Sequence, residues 1–270
     1  LATYLALLTL ILTLFAPVAA FAAGNGCKHC HAVHYPELGG CVDCHGGEER
    51  TKRKDLAHHD LFVGSLTHFR LPQSPVTEAG IRLLENSACR RCHISGGKGN
   101  RLASNLDQRA ALRPFDLENS IRQPVDFMPD FHFSDAAIIR LLNALLLGGR
   151  NSEPTGVEIP RVVHFEGGRE ASENPFVKHC GGCHRMLTDR YGALGRGTAA
   201  PNLSGLLTEH YPANFSPDRL PWTRERLKTW LENPRQQRPL SQMRTRPLNE
   251  EELTALLNVF SAEIDEQNRN

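Results

Sequence analysis

Eight cysteines carry most of the chemistry this chain has to offer, and all eight fall in one pattern. Cys27 and Cys30 precede His31, Cys41 and Cys44 precede His45, Cys89 and Cys92 precede His93, and Cys180 and Cys183 precede His184. A Cys-x-x-Cys pair admits three chemistries. It can be half of a four-sulfur zinc site, a redox dithiol, or the anchor of a c-type haem, for which a histidine must follow at once. With 13 histidines in 270 residues, chance would place one after all four pairs about once in 10⁵ chains. Zinc and dithiol chemistry need no histidine there. Two thiols on one turn add across the vinyl groups on one side of a porphyrin, and the next imidazole becomes the proximal iron ligand. The spacing therefore predicts four covalently attached haem c groups.

Each iron also needs a sixth ligand, and its identity sets the chemistry. A methionine thioether raises the potential, a second histidine leaves it lower, and an open position admits substrate. The chain has three methionines, Met128, Met186 and Met243. Met128 and Met243 each stand before the last helical stretch of their part of the chain and are the candidate ligands of the rear haems. Met186, two residues past His184, reads as packing, and His132 is the rival to Met128. No methionine lies near the front motifs, so bis-histidine ligation is expected there. His58 and His68 are the first choices, with His34 close behind and His59 beside them. His29, His164, His179 and His210 read as surface or propionate contacts.

Residues 27–47, CKHCHAVHYPELGGCVDCHGG, place two motifs only nine residues apart. A nine-residue tether spans at most about 30 Å, so the two front cofactors are expected to lie near one another. The uncharged run of residues 1–22, ending in Ala20-Phe21-Ala22, reads as a secretory signal with its cleavage site. The alternative is an uncleaved anchor, because the run is long enough to span a bilayer. Export to the periplasm or outer surface of a bacterium follows, with membrane contact through the N-terminus. The formal charge of +1 becomes net acidic once the haem propionates are counted. No basic stripe argues for nucleic acid. About 248 residues remain after cleavage, roughly 60 per haem, too few for a conventional core around each one.

The elements that must position these groups are helices and loops. Residues 23–76 form a dihaem segment, with a solvated charged stretch at 46–55 and a linker reading at 71–76. Residues 77–149 begin with a helix capped by Thr77 that runs into the third motif. They close with an amphipathic helix over 134–149, capped by Ser134 and stopped by Gly148-Gly149. After a linker at 148–161, residues 162–266 repeat the plan. A helix over 222–234 presents Leu227, Trp230 and Leu231 on one face, and a last helix opens with Asn249 and Glu252 at capping-box spacing. ASNLDQ (103–108) and APNLSG (200–205) occupy corresponding places, which predicts an internal duplication. Alternating β-branched runs are absent, so the fold class is mainly α and loop-rich.

Segments 77–149 and 162–266 each resemble a class I cytochrome c domain. The order is helix, CxxCH, Asn-Leu loop, methionine and closing helix. The second copy fits more closely: 34 residues separate His93 from Met128, against 58 between His184 and Met243. The whole chain is also similar to multihaem cytochromes encoded with selenite and tellurite reduction operons. The resemblance implies an electron carrier whose partners are donor and acceptor cytochromes or a membrane quinol oxidase. The alternative is a haem reductase or peroxidase with one open iron. A third is a subunit of a stacked assembly that shares ligands between chains.

Overall fold

In a computed structural model that describes residues 26–150, 152 and 173–261, short helices joined by ordered loops make up the chain, with one two-stranded hairpin. The expected signal or anchor (1–22), most of the linker beyond Arg150, and His164 lie outside the described residues. Among the described residues no helix is long and apolar enough to cross a membrane. The chain divides into two compact units, one ending at Gly64 and the other beginning at Ser65.

Among its described residues the front unit holds α1 (Cys41–His45), α2 (Lys54–Ala57) and 3-10 turns at Gly26–His29 and Pro36–Leu38. None of its described residues is buried, and Val33, Tyr35, Leu56 and Val63 are exposed. Main-chain bonds close its loops instead. Gly26 N–H donates to Glu49 O at 2.6 Å, Glu48 N–H to Ala57 O at 3.1 Å, and Phe62 N–H to His45 O at 2.7 Å.

The rear unit opens with α3 (Pro75–Asn86). Its cap is Ser74, whose hydroxyl accepts the Thr77 N–H, and not Thr77 as expected. Pro75 fits the first helical turn because no N–H is needed there. Nor does α3 run into the third motif. It ends at Asn86, Ala88 takes a left-handed φ of 52°, and a separate 3-10 turn, Cys89–Arg91, follows. After α4 (Leu106–Leu112) and α5 (Asp116–Arg122) comes α6 (Asp135–Arg150), capped by Ser134 as expected. Leu84 of α3 packs with Ile138, Leu141, Leu142 and Leu145 of α6 in one apolar cluster.

Gly148 and Gly149 do not stop α6, which continues through them to Arg150. They are small for a packing reason: a Cβ on Gly148 would strike the Asp107 carboxylate, and one on Gly149 would strike Ala110, both on α4. Asn143, fully buried, accepts the Phe69 N–H and donates to Ser65 O, each at 2.9 Å. Those bonds tie residues 65–69 to α6. The compact unit therefore begins at Ser65, whereas the sequence reading placed its break at 76.

The second half of this unit comprises α7 (Pro175–His179), the hairpin β1 (Met186–Thr188) with β2 (Gly192–Leu194), α8 (Arg224–Glu232), α9 (Pro234–Gln237) and α10 (Glu250–Ser261). Phe176 of α7 meets Phe260 of α10 edge-on at 5.7 Å in a core with Leu227, Leu231 and Leu256. Both bonds of the expected capping box are present: Glu252 N–H to Asn249 Oδ1 at 2.8 Å and Asn249 N–H to Glu252 Oε2 at 3.2 Å. Met186 is fully buried in this core.

The crossing of α3 and α6 rests on Gly80, where an added Cβ would run into the Arg140 carbonyl. Gly to Ala in a helix ordinarily stabilises by up to about 1 kcal/mol. Here the overlap is with backbone and should win, so Gly80→Ala is expected to cost about 1–3 kcal/mol. Denaturant midpoints of the two proteins check this; equal or higher stability in the variant would rule out so close a crossing.

Candidate haem sites

Three of the four motifs are single turns closed by the same bond. The histidine N–H reaches back to the first cysteine carbonyl, at 3.0 Å for His31 and Cys27, 3.0 Å for His93 and Cys89, and 2.9 Å for His184 and Cys180. The remaining motif is α1 itself, steadied at its start by Gly40 N–H donating to Asp43 Oδ2 at 2.6 Å. One helical turn places a histidine beside the cysteine four residues earlier. None of the eight cysteines is paired in a disulfide. Cys89 packs against the α3–α6 cluster and Cys180 lies in the core of the second half. Burial, with Cys92 adding to it, pushes the Cys89 thiol up to about 11. Burial takes Cys180 up to about 11 against the pull of Arg246.

Ring nitrogens distinguish three of these histidines from ordinary surface ones. Nδ1 lies 2.7 Å from Ser104 O in His93, 2.8 Å from Pro201 O in His184 and 3.1 Å from Phe62 O in His45. A carbonyl can only accept, so Nδ1 carries the hydrogen and Nε2 keeps its lone pair for a metal. Burial holds the His93 imidazole below its ordinary range, outweighing the Ser104 bond, which acts the other way. That favours the neutral form that ligates iron. The donor set thus fits haem c at these motifs. Zinc knuckles need four clustered ligands, and among the described residues no group of three or more His, Cys, Asp or Glu is placed to hold one ion.

The rear motifs are supported by one bonding scheme used twice. Ala103 N–H donates to Cys92 O at 2.8 Å, and Ala200 N–H to Cys183 O at 3.1 Å. The next residue, Ser104 or Pro201, accepts from the ring of the motif histidine. The residue after that, Asn105 or Asn202, turns its Oδ1 onto the N–H two positions ahead, at 3.0 and 2.9 Å. Finally, Leu106 N–H meets Ile94 O and Leu203 N–H meets Arg185 O, both at 2.9 Å. The repeated Ala-x-Asn-Leu of the sequence is the trace of this scheme. Its carbonyls are backbone atoms that no residue type announces.

In the front unit the geometry pairs histidines across motifs. His34 Nε2 lies 3.4 Å from His45 Nε2. Two ring nitrogens this close would let His34 and His45 hold one metal ion between them. The His31 and His58 rings have centroids 6.0 Å apart. Cys27 and Cys41, the first cysteines of the two motifs, hydrogen-bond each other, and burial followed by Cys41 raises the Cys27 thiol. His59 pairs with Asp60 at 3.1 Å. His68, a first choice on sequence, lies in the rear unit in the turn His68–Arg70.

Of the methionines, Met243 packs on the core of the second half, and its Sδ accepts the Trp230 Nε1–H at 3.0 Å. Met128 follows Phe127, a buried residue with a φ of +71°, a conformation that costs a bulky side chain of order 1–3 kcal/mol. His132, the rival, is mostly exposed and pairs with Asp130 at 3.2 Å. His179 and His210 lie beside Glu252 and Glu209, at 3.6 and 3.8 Å.

Residues 75–143, from the first turn of α3 through the third motif and Met128 into α6, match the family model of cytochrome c oxidase, cbb3-type, subunit III. This supports a c-type cytochrome with covalently bound haem c and a haem-based role in electron transfer. No curated protein and no solved structure matches the chain.

Gly195, with a φ of +71°, lies where a Cβ would strike the His184 carbonyl, whereas Gly182 has nothing within 4 Å of such an atom. Gly195→Ala is therefore expected to destabilise by about 1–3 kcal/mol, and Gly182→Ala to stay within about 0.5 kcal/mol. Denaturation of the holoprotein checks both, and equal behaviour of the two variants would reject this account of the turn.

Proposed function

We propose that the chain is a tetrahaem c-type cytochrome that carries single electrons outside the cytoplasm, in the periplasm or at the outer surface. The observation that carries this reading is the bonding scheme repeated beneath His93 and His184. It extends the chemistry supported at residues 75–143 to the fourth motif, and the Nδ1 bond of His45 extends it to the second. When bound, haem c supplies a one-electron iron couple at each motif.

The chain's own part is to hold each ring and choose its ligands. His31, His45, His93 and His184 are the proximal ligands. His58 completes the first site and His34 the second, as their ring distances favour. Met128 and Met243 complete the third and fourth, with Trp230 steadying the Met243 sulfur. Bis-histidine sites in front then have lower potentials than the histidine–methionine sites behind. No added general base or nucleophile is needed for such a role. Its partners are one-electron donor and acceptor proteins, such as other cytochromes or a membrane quinol oxidase. The apolar run at 1–22 is the basis for placing it beyond the inner membrane.

Intact mass of the holoprotein is expected to exceed the polypeptide by four haems. Low-temperature EPR should then show two bis-histidine and two histidine–methionine ferric haems, all low-spin. His34→Ala and His58→Ala should each turn one of the four high-spin, and His68→Ala none. An unchanged spectrum in His34→Ala would sink that ligand assignment. A high-spin fraction in the unaltered protein that responds to small ligands would make the chain an enzyme instead of a carrier.

A further inference from the structure

Within the rear unit, one side chain does more than its counterpart in the repeat. Asn105 caps α4, its Oδ1 accepting the N–H groups of Asp107 and Gln108. Asn202 keeps the same kind of turn, with Oδ1 accepting the Ser204 N–H at 2.9 Å and the Ser204 hydroxyl at 2.7 Å. Its amide Nδ2 reaches out of its own half and donates to Phe127 O at 3.2 Å. Its carbonyl accepts from Arg91, inside the third motif, at 3.1 Å. Asn202 is also the residue after Pro201, which holds His184.

The loop that Asn202 grips is the one that presents Met128. Phe127 is buried in a small cluster with Leu102 of its own half and Leu187 and Ala193 of the hairpin. The Arg185 guanidinium stands over its ring, 5.3 Å from the centroid, and the same Arg185 binds Asp126 Oδ1 at 3.1 Å. Both residues before Met128 are thus fastened to the half that carries the fourth motif. A left-handed φ at a phenylalanine persists only where its surroundings hold it, and that φ sets the direction in which the chain enters Met128.

We infer that Asn202 is a positioning residue for Met128: the half bearing the fourth motif supplies the brace that completes the ligand set of the third. The inference rests on the reading that Met128 is an iron ligand. One consequence is that the third site, although the family match covers only residues 75–143, is incomplete without residues 185–202.

The test uses the full-length holoprotein and the near-infrared charge-transfer band and EPR signals of sulfur-ligated ferric haem. Met128→Ala and Met243→Ala assign the two sulfur-ligated signals. Asn202→Asp keeps an oxygen for Ser204 but cannot donate to Phe127, and Asn202→Ala removes both roles. We expect Asn202→Asp to lose the Met128 signal, keep the Met243 signal and speed hydrogen exchange at residues 126–128. Retention of the Met128 signal in Asn202→Asp would overturn the inference alone. Loss of both sulfur signals together would also overturn it, because a general structural role predicts that. If Met128→Ala itself changes no haem signal, the ligand reading fails and takes the inference with it. Should Asn202→Ala not fold, Asn202→Asp still decides the matter.

Discussion

A hydrogen bond from the ring of the motif histidine to a backbone carbonyl is the constraint on which the site architecture turns. It fixes the tautomer, leaves Nε2 as the only lone pair, and sets the plane in which the ring faces a metal. Supplying that carbonyl requires a loop at a defined height beside the motif. In the rear unit the Ala-x-Asn-Leu segments do this, tied down on either side of the acceptor by main-chain bonds to the second cysteine and to the residue after the histidine. In the front unit the same acceptor is Phe62 O, delivered by a strand-like return in which Phe62 N–H also bonds His45 O.

The helices serve these loops. The α3–α6 crossing at Gly80 brings the start and end of the first rear half together, so the motif and the methionine loop hang from one rigid pair. Asp107 adds a second tie. Its buried carboxylate accepts the Gly96 and Gly97 N–H groups at 2.7 and 2.8 Å, joining the turn after His93 to α4. Gly148 is small because that carboxylate needs the space. In the second half, Phe176 against Phe260 takes the place of the glycine crossing, and the hairpin Met186–Thr188 with Gly192–Leu194 takes the place of the Ser95–Lys98 turn.

Much of this was legible in residue types and spacings. The four motifs, the Asn249–Glu252 cap and the apolar face of α8 all depend on local chemistry, which a sequence carries in full. Misreadings arose where a local signal had a tertiary cause. Gly148-Gly149 has the form of a helix stop, yet both glycines answer to α4. Ser74-Pro75 has the form of a linker, and its cap-then-proline order is a helix start that Thr77 obscured. The hairpin leaves no signal in the sequence because its strands are three residues each, too short for alternation to register. Histidine pairing in the front unit depends on how two turns fold back on each other, so spacing alone ranked His68 with His58. The ring geometry instead sets His34 against His45.

The residues between the paired cysteines are usually treated as filler, and here they are not. Arg90 donates to Ser95 O at 2.9 Å, while Arg91 binds Asn202 O and stands over Tyr211. Their counterparts are Gly181 and Gly182, and Gly181 is pressed so close that a Cβ would come within 2.8 Å of Val177 O. An arginine has no room at 181, and a glycine at 91 would forfeit its hold on the neighbouring half. The spacer residues of the third and fourth motifs are therefore not exchangeable, and each pair ties its motif to one place in the chain.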